Sequence, residues 1–279
     1  MKSYLKDDLD KNNPEFISAI DELSIWSAPF GMKMLEIIEM KPDMKILDIG
    51  FGTGFPLLEV VQRLGSSCQA TGIDPWIMAY ERTKFKIDQY KLKNVELIIG
   101  TAENMPFPND SFHLIISNNG INNVNDEPAV YRESYRVCKP GSQFVFTFNL
   151  PESFIEFYKI FEEVLKENGK TEEIKKMRDH IHRKRKTIEE TKNLVKQAGF
   201  KVSKVITDKF FWRYTNGTSM LNHYFIRIAF LSSWKEILKP EDHEFIFDIV
   251  EKRLNQKAEV DGEFFMTIPF AVFNCRKDM

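Results

Sequence analysis

Residues 47–54, LDIGFGTG, constrain the fold more than any other segment, because an apolar run ends there in three closely spaced glycines. The run, Lys45–Ile49, predicts a buried parallel strand, and Leu57–Leu64 follows with helical spacing of its apolar residues. Glycine is required where a backbone approaches a ligand closely or takes a positive φ. A strand, a glycine turn and a helix in this order predict a ligand site at the helix N-terminus.

The rest of the chain repeats the alternation of apolar runs and helix-like stretches. Helices are predicted over residues 78–90 and 126–137, the second capped by Asp126 or Asn125 and ended by the KPG at 139–141. Such alternation predicts an α/β fold, a Rossmann-like, doubly wound, mostly parallel seven-stranded sheet. The predicted strands are residues 45–49, 69–73, 95–99, 112–117, 143–148, 202–206 and 264–273.

Two charged, helical insertions interrupt this pattern. We expect a single domain over residues 1–279, with a core of about 43–150 and 187–212 plus a last strand at 263–275. The insertions, about 151–186 and 213–260, leave strands five and six at their carboxyl ends, where open α/β sheets bind ligands. They are therefore predicted to form a helical lid, although helices that only cover the sheet would have the same pattern.

The glycine spacing separates two kinds of nucleotide loop. Gly50, Gly52 and Gly54 stand at every second position, whereas the dinucleotide fingerprint G-x-G-x-x-G requires its third glycine at position 55, which is Phe55. The spacing therefore fits poorly to a nicotinamide cofactor, although a shifted loop stays open.

Two carboxylates accompany the loop. Asp48 precedes it directly, where a negative charge suits a ligand with an ammonium and a sulfonium better than it suits a pyrophosphate. Asp74 ends the second strand, where a carboxylate can accept two hydrogen bonds from a ribose diol. Taken singly, each is better explained as a turn or cap residue. Together with the strand–glycine–helix context they favour a binding site.

The segment after strand three belongs to the same edge of the sheet. Backbone groups at Thr101 and Ala102 could meet the edge of an adenine ring, and Trp76 or Ile77 could pack on its face. Core packing is the competing interpretation for Trp76, because tryptophan is usually largely buried.

The motifs LDIGFGTG, GIDP, GTAENMPFPNDSFHLIIS and RVCKPGS together resemble the motif series of class I S-adenosylmethionine (SAM)-dependent methyltransferases, closest to the small-molecule subgroup with the ubiquinone/menaquinone C-methyltransferases. The resemblance covers about residues 43–150 and implies SAM as the cofactor. The glycine loop would hold its methionine part, Asp74 its ribose, and the pair after strand three its adenine. The expected cofactor-binding residues are Asp48, Gly50, Gly52, Gly54, Asp74, Pro75, Trp76, Thr101, Ala102, Glu103 and Asn118.

The chain also departs from the family. Many relatives carry Asp or Asn where Thr101 stands, so adenine recognition would fall to the backbone or to Glu103. The quinone enzymes lack an equally large insertion after strand six, so the acceptor need not be a quinone. The Asn/Asp-Pro-Pro-aromatic sequence of amino-group DNA and protein methyltransferases is missing after strand four, which lowers the expectation of a nucleic-acid acceptor.

No catalytic residue is assigned by the sequence. Methyl transfer needs a base only if the acceptor must lose a proton, and His223 is a weak candidate, since a lone histidine is better explained as a structural or surface residue. Asn122 and Asn123 could position a polar acceptor or simply form a turn. The aromatic residues of the second insertion suit either a hydrophobic or aromatic acceptor or the insertion's own core. The basic run over residues 175–186 could attract an anionic substrate or RNA, but its interleaved acids favour a solvated helix face.

Composition limits the remaining possibilities. The net charge of −2 gives no general attraction for nucleic acid or anionic membranes. Three widely spaced cysteines predict neither a metal site nor a disulfide framework, and no apolar run suits a membrane span. We therefore expect a cytoplasmic enzyme that acts on a small molecule, of undetermined oligomeric state. A SAM-binding regulatory protein without turnover, a nucleotide-dependent oxidoreductase and an RNA methyltransferase stay as alternatives.

Overall fold

The computed structural model describes residues 2–6, 12–22 and 25–279. The chain divides into two compact units. The unit that we call the sheet unit contains Asn12–Asn149, Lys186–Asp208 and Phe270–Met279. The other, the helical unit, contains Leu150–Arg185, Lys209–Pro269 and the described residues 2–6.

A seven-stranded sheet with helices forms an α/β, Rossmann-like fold, as the sequence predicts. Its strand order is β3-β2-β1-β4-β5-β7-β6, so the order reverses between β1 and β4. Open sheets of this kind bind ligands at that reversal, outside the carboxyl ends of the strands. The strands are β1 Lys45–Ile49, β2 Gln69–Asp74, β3 Val95–Ile99, β4 Phe112–Asn118, β5 Cys138–Asn149, β6 Lys201–Tyr214 and β7 Phe264–Arg276.

The first five strands are parallel, and β7 is antiparallel to β5. Phe211 contacts Phe265, and Arg213, two residues later, contacts Glu263, two residues earlier. This reversed order indicates that β6 and β7 are antiparallel. The prediction that KPG at 139–141 separates helix from strand is wrong. The strand already begins at Cys138, and the extra residues are taken up by a register shift opposite Phe112 and Leu114.

Three helices of the sheet unit lie at the predicted positions, namely Leu57–Leu64, Ile77–Tyr90 and Glu127–Val137. The helix Glu127–Val137 is capped by Asp126, whose carboxylate accepts the backbone N–H of Ala129. At the start of the helix Ile188–Gln197, Thr187 and Glu190 form a capping box. The two helices before β1 were not predicted. The helices are α1 Pro14–Glu22, α2 Ser27–Leu35, α3 Leu57–Leu64, α4 Ile77–Tyr90, α5 Glu127–Val137 and α8 Ile188–Gln197.

The helical unit is built around aromatic side chains. Trp234 is fully buried, stacks on Phe157 at a centroid distance of 3.9 Å, and donates its indole N–H to the Tyr158 hydroxyl. We call Phe154, Phe157, Tyr158, Trp212, Phe230 and Trp234 the aromatic cluster. The unit's helices are α6 Ile155–Glu167, α7 Thr171–Lys184, α9 Gly217–Asn222, α10 Tyr224–Ile226, α11 Ser232–Lys235 and α12 His243–Asp261, with a π-helical turn at Arg227–Leu231.

Among the described residues, no helix combines the length and apolarity that a membrane crossing requires.

Candidate cofactor site

The glycine loop connects β1 to α3 in a conformation that depends on its glycines. Gly50, Gly52 and Gly54 all have positive φ, of 75°, 51° and 103°. A Cβ on Gly54 would lie 2.9 Å from Leu58 Cδ1 and 3.1 Å from Thr83 Cγ2, so a side chain there would require these neighbours to move. A Cβ on Gly52 would meet nothing within 4 Å. Gly54 is therefore closely surrounded by side chains, whereas Gly52 keeps the outer surface of the loop open.

The carbonyl groups of the loop are tied to α4. The Thr83 hydroxyl donates to the Gly52 carbonyl at 2.9 Å, and the Lys86 ammonium donates to the Thr53 carbonyl at 2.8 Å. The Gly50 N–H donates to the Ile73 carbonyl at 2.8 Å, which joins the loop to the end of β2. These bonds fix the loop before any ligand is bound, which is the preorganisation that a small-molecule site needs.

Asp48 is a fully buried carboxylate on β1, and neither of its oxygens has a hydrogen-bond partner among the described residues. Burial raises its pKa well above the ordinary carboxyl value, and the charge of Asp74 raises it further, although the nearby backbone N–H of Leu57 opposes the shift. A buried polar group without a partner is costly, and an uncompensated charge even more so. This carboxylate therefore fits a site that receives a cation.

Asp74 ends β2 with both carboxylate oxygens oriented by backbone groups. One oxygen accepts the Trp76 N–H and the other the Gly52 N–H, each at 2.9 Å. Burial raises its pKa, and these two hydrogen bonds oppose the rise. Each carboxylate oxygen can accept a further bond. Pro75 is exposed, and Trp76 is 37 % exposed, so the indole is not a core side chain.

The segment after β3 divides its residues between the surface and the fold. Thr101 is exposed and Ala102 is buried. The Glu103 carboxylate accepts the Asn125 N–H at 2.9 Å, just before the cap of α5. The Glu103 carboxylate, which was expected to contact adenine, therefore bonds to the protein backbone in this structure.

Amide side chains gather at the carboxyl ends of β4 and β5. Asn118, the last residue of β4, accepts from the Thr147 hydroxyl at 2.9 Å. The Asn122 amide donates to the side-chain oxygens of Asn119 and Asn149, at 2.6 Å each, and its own buried oxygen has no partner among the described residues. Sequence reasoning noted Asn118 and Asn122 but missed Asn149, although it ends a parallel strand and the same rule would have found it.

The N-terminal helices, which sequence reasoning also missed, are anchored at this site. The side-chain N–H of Asn118 donates to the backbone carbonyl of Ser27 in α2 at 2.9 Å. Gly31 of α2 packs directly on the Phe55 ring. Asp21 of α1 accepts from Arg82 and Lys86 at 2.8 and 2.7 Å. Burial raises the Asp21 pKa, but the bonds from Lys86, Thr53 and Arg82 together bring it below the ordinary value. An ion-pair network therefore joins α1, α4 and the glycine loop.

His223, the weak catalytic candidate, belongs to the helical unit. Its Nδ1 accepts the Phe225 N–H at 3.3 Å and so caps α10. Burial lowers its pKa, which favours a neutral imidazole. Tyr214 and Tyr224 flank the ring at centroid distances of 5.6 and 4.8 Å. The cap supports the structural interpretation, and no contact with another described residue supports a catalytic role.

The basic run over residues 175–186 is only partly the solvated face that the sequence predicts. Arg183 is exposed, but Lys184 is half-buried and Arg185 is only 3 % exposed. Burial lowers the pKa of His180 to about 4, and the charges of Arg185, Arg183 and Lys184 lower it further. Arg185 lies beyond the last turn of α7, where the helical period no longer determines its surroundings.

Comparisons with known proteins agree with this geometry. The methyltransferase domain family model matches residues 40–199. The chain is 33 % identical to a demethylmenaquinone methyltransferase of Listeria welshimeri over 39 % of this chain and 46 % of that protein. It is 31 % identical to a ubiquinone/menaquinone biosynthesis C-methyltransferase of Legionella pneumophila, over 42 % of this chain and 48 % of that protein. The chain thus spans about half the length of these curated relatives.

The fold is similar to a solved structure of phosphoethanolamine N-methyltransferase 2 of Haemonchus contortus in complex with SAM. The TM-score is 0.60 at 16 % identity, over 100 % of this chain and 61 % of that one. The chain therefore belongs to the methyltransferase domain family. It is a class I SAM-dependent methyltransferase, as the motif series predicts. SAM is the cofactor of this class, and the buried carboxylate of Asp48 and the open loop at Gly52 fit it.

Proposed function

We propose that this chain transfers a methyl group from SAM to a small, hydrophobic or aromatic acceptor. The observation that carries the proposal is the buried carboxylate of Asp48, which has no hydrogen-bond partner among the described residues and directly precedes an open glycine loop. SAM carries an ammonium and a sulfonium, so its charge matches such a site, whereas a dinucleotide pyrophosphate would be repelled.

The donor side would use Asp48 as a source of electrostatic potential. Both of its oxygens are inaccessible in this conformation, so it acts on a cationic ligand through the surrounding low-polarity medium, not by direct contact. Gly50, Gly52 and Gly54 would let the methionine part approach the backbone. The expected gain is in affinity, because the charge of the ligand is already present before the reaction.

The ribose and adenine would lie further along the same edge. The two backbone hydrogen bonds of Asp74 fix its carboxylate and leave capacity for the ribose hydroxyls. The part-exposed indole of Trp76, with Pro75 before it, offers an apolar face for adenine. Thr101 and Ala102 would meet the adenine edge through the backbone, since Glu103 is engaged with Asn125. Asn118 would act mainly by holding the loop after β4, since both ends of its amide are bonded.

The acceptor side would use polar groups at the carboxyl ends of the central strands. Asn122 and Asn149 present an amide pair there, suited to a hydroxyl or amino group on the acceptor. The names of the curated relatives refer to demethylmenaquinone and to ubiquinone and menaquinone biosynthesis, which supports an aromatic acceptor here.

Methyl transfer requires mainly that the acceptor atom, the methyl group and the sulfur are aligned. When bound, SAM supplies a methyl group on a positively charged sulfur, which an acceptor displaces in line to leave S-adenosylhomocysteine. The chain's residues would hold the two reactants in contact and exclude water, which can supply about 7–11 kcal/mol of the barrier. A base is needed only for an acceptor that must lose a proton, and neutral His223 is the candidate for that step.

The donor site is tested by SAM binding to Asp48→Asn, measured by calorimetry. We expect affinity to fall at least tenfold, because the amide carries no charge. In the wild type, SAM favours the charged carboxylate, so affinity should rise as pH rises above the ordinary carboxyl value of 3.8, as long as the SAM amino group stays charged. Without ligand the sign reverses. Because the folded pKa of Asp48 is raised, the free energy of unfolding should fall as pH rises above the ordinary value of 3.8.

Asp43→Asn is the matched control, since Asp43 is an exposed carboxylate of the same unit. Its affinity for SAM and its pH profile should equal those of the wild type. Equal losses in both variants would contradict the role of Asp48. Turnover is tested separately with radiolabelled SAM and a panel of phenols, quinols and aromatic amines. SAM binding without methylation of any acceptor would favour a regulatory protein, and methylation of RNA alone would replace the small-molecule proposal.

A further inference from the structure

Arg185 is a buried cation in the helical unit and has no anionic partner in the part of the chain that the structure describes. Only 3 % of the residue is exposed. Its guanidinium has five N–H donors, but the Ser153 carbonyl, at 3.2 Å, is its one hydrogen-bond acceptor among the described residues. It forms no ion pair with a described carboxylate. Buried arginines are normally paired, because an uncompensated charge in a protein interior is strongly unfavourable.

Two ring faces surround this guanidinium. Its central carbon lies 5.3 Å from the ring centroids of both Phe154 and Tyr158. Such cation–π contacts stabilise the charge in part, but they leave the N–H donors at the edge of the guanidinium without acceptors. Phe154 itself has a left-handed backbone, with φ of 64°, and its N–H donates to the Thr267 carbonyl at 2.8 Å. The fold therefore holds the Phe154 ring in this position at a cost in backbone strain.

A second donor without an acceptor belongs to the same cluster. The Tyr158 hydroxyl accepts the indole N–H of Trp234 at 3.0 Å, but among the described residues nothing accepts its own proton. Tyr158 is buried. Arg185 and Tyr158 contact one another, and each has N–H or O–H groups without an acceptor among the described residues. Oxygen atoms carrying negative charge would satisfy both kinds of donor.

The surroundings of Arg185 carry further positive charge. Arg183 and Lys184 precede it, and His180 lies close enough for the charge of Arg185 to help lower its pKa. The helix dipole accounts for basic residues in the last turn of α7. It does not account for Arg185, whose side chain is buried and bonded to a carbonyl on a different segment. Attachment of the end of α7 to Ser153 is the structural alternative.

We infer that Arg185, Phe154 and Tyr158 form a binding site for an aromatic oxyanion, a small molecule that carries a carboxylate or a phosphate on or near its ring. The guanidinium fork would bind the oxyanion in a bidentate manner, and the aromatic cluster would contact the ring.

The test follows the arginine Nε–H resonances of the full chain by proton–nitrogen NMR. The probes are benzoate, phenyl phosphate and the neutral benzamide. One resonance, identified by its absence in Arg185→Lys, should shift saturably with one or both anions, and benzamide should bind at least tenfold more weakly. Stronger shifts with benzoate than with phenyl phosphate would identify a carboxylate, and the reverse a phosphate. No shift of that resonance, or equal binding of benzamide, would overturn the inference.

Arg185→Gln and Arg183→Gln are the paired variants, since Arg183 is an exposed neighbour on the same helix end. Arg185→Gln should lose at least tenfold in affinity for the anion, and Arg183→Gln less than twofold. Equal losses would indicate a general attraction by the basic run and contradict a built site. If Arg185→Gln does not fold, the wild-type comparison of benzoate with benzamide still decides the question. S-adenosylhomocysteine binding, measured in parallel, separates the two proposals, because a wild type that binds it but no anion contradicts only this inference.

Discussion

The glycine loop of the sheet unit and the aromatic cluster of the helical unit are held in place by opposite means. The loop depends on backbone conformation, with three glycines at positive φ and its carbonyls bonded to α4. The aromatic cluster depends on side-chain packing, with Trp234 fully buried against Phe157 and Tyr158. Each region nevertheless contains a buried ionisable group that has no ionic partner among the described residues, Asp48 in one and Arg185 in the other.

The difference teaches where each kind of specificity resides. A backbone loop recognises groups that every methyl donor of this type shares, and its geometry tolerates few substitutions. A packed set of side chains can change its shape by exchange of residues, which suits an acceptor that differs between enzymes. The opposite signs of the two buried groups fit a cationic methyl donor in the sheet unit and, on our inference, an anionic ligand in the helical unit.

The largest effect should come from Trp234→Ala, which tests whether the aromatic cluster supports stability without touching the donor site. Loss of a fully buried tryptophan should lower the free energy of unfolding by about 3–5 kcal/mol, measured by chemical denaturation. Affinity for S-adenosylhomocysteine should stay within twofold where the variant is folded. Trp76→Ala, at the part-exposed tryptophan of the sheet unit, should give the reverse pattern. If both variants lost stability alike, the two regions would not differ as described.

The next effect should come from Gly52→Val, which fills the open surface of the glycine loop. We expect S-adenosylhomocysteine affinity to fall about 100-fold or more, because a side chain would occupy the approach to the backbone. The strain of a positive φ in valine should also reduce stability, by about 1–2 kcal/mol. Gly169→Val is matched in strain, with φ of 68° and no atom within 4 Å of its Cβ, but it lies in the helical unit. Its affinity should be unchanged, and a loss like that of Gly52→Val would show that strain alone explains the effect.

The smallest effect should come from Asp21→Asn, which weakens the network between α1, α4 and the loop. Loss of charge-assisted bonds to Arg82 and Lys86 should lower the free energy of unfolding by about 1–3 kcal/mol at neutral pH. Because the folded pKa of Asp21 is lowered, the wild type should lose this contribution as pH falls through that pKa, below 3.8. Glu59→Gln, which breaks the exposed pair with Arg63, should change stability by less than about 0.5 kcal/mol. Equal losses would contradict a special role for the N-terminal network.

Several elements were predictable because their signals are local. Lys45–Ile49, Leu57–Leu64 and Val95–Ile99 have the predicted bounds, since compact apolar runs and helical spacing determine them within a few residues. The capping box at Thr187 is likewise a short-range pattern. The helices at Pro14–Glu22 and Ser27–Leu35 escaped prediction. Each of these helices has only nine residues. The second has no side-chain cap hydrogen bond at Trp26. The residues that both helices contact lie on distant segments of the chain.

The site divides in the same way. The sequence by itself determined the glycine loop and the acids beside it, because a strand, a turn and a helix are consecutive and their chemistry can be inferred from spacing. Only the tertiary structure decided that Glu103 bonds to the backbone at Asn125, that Asn122 meets Asn149 across 27 positions, and that Arg185 is buried against Phe154. Burial and partnership arise when segments far apart in the chain pack together, and neither composition nor periodicity encodes which pairs will meet.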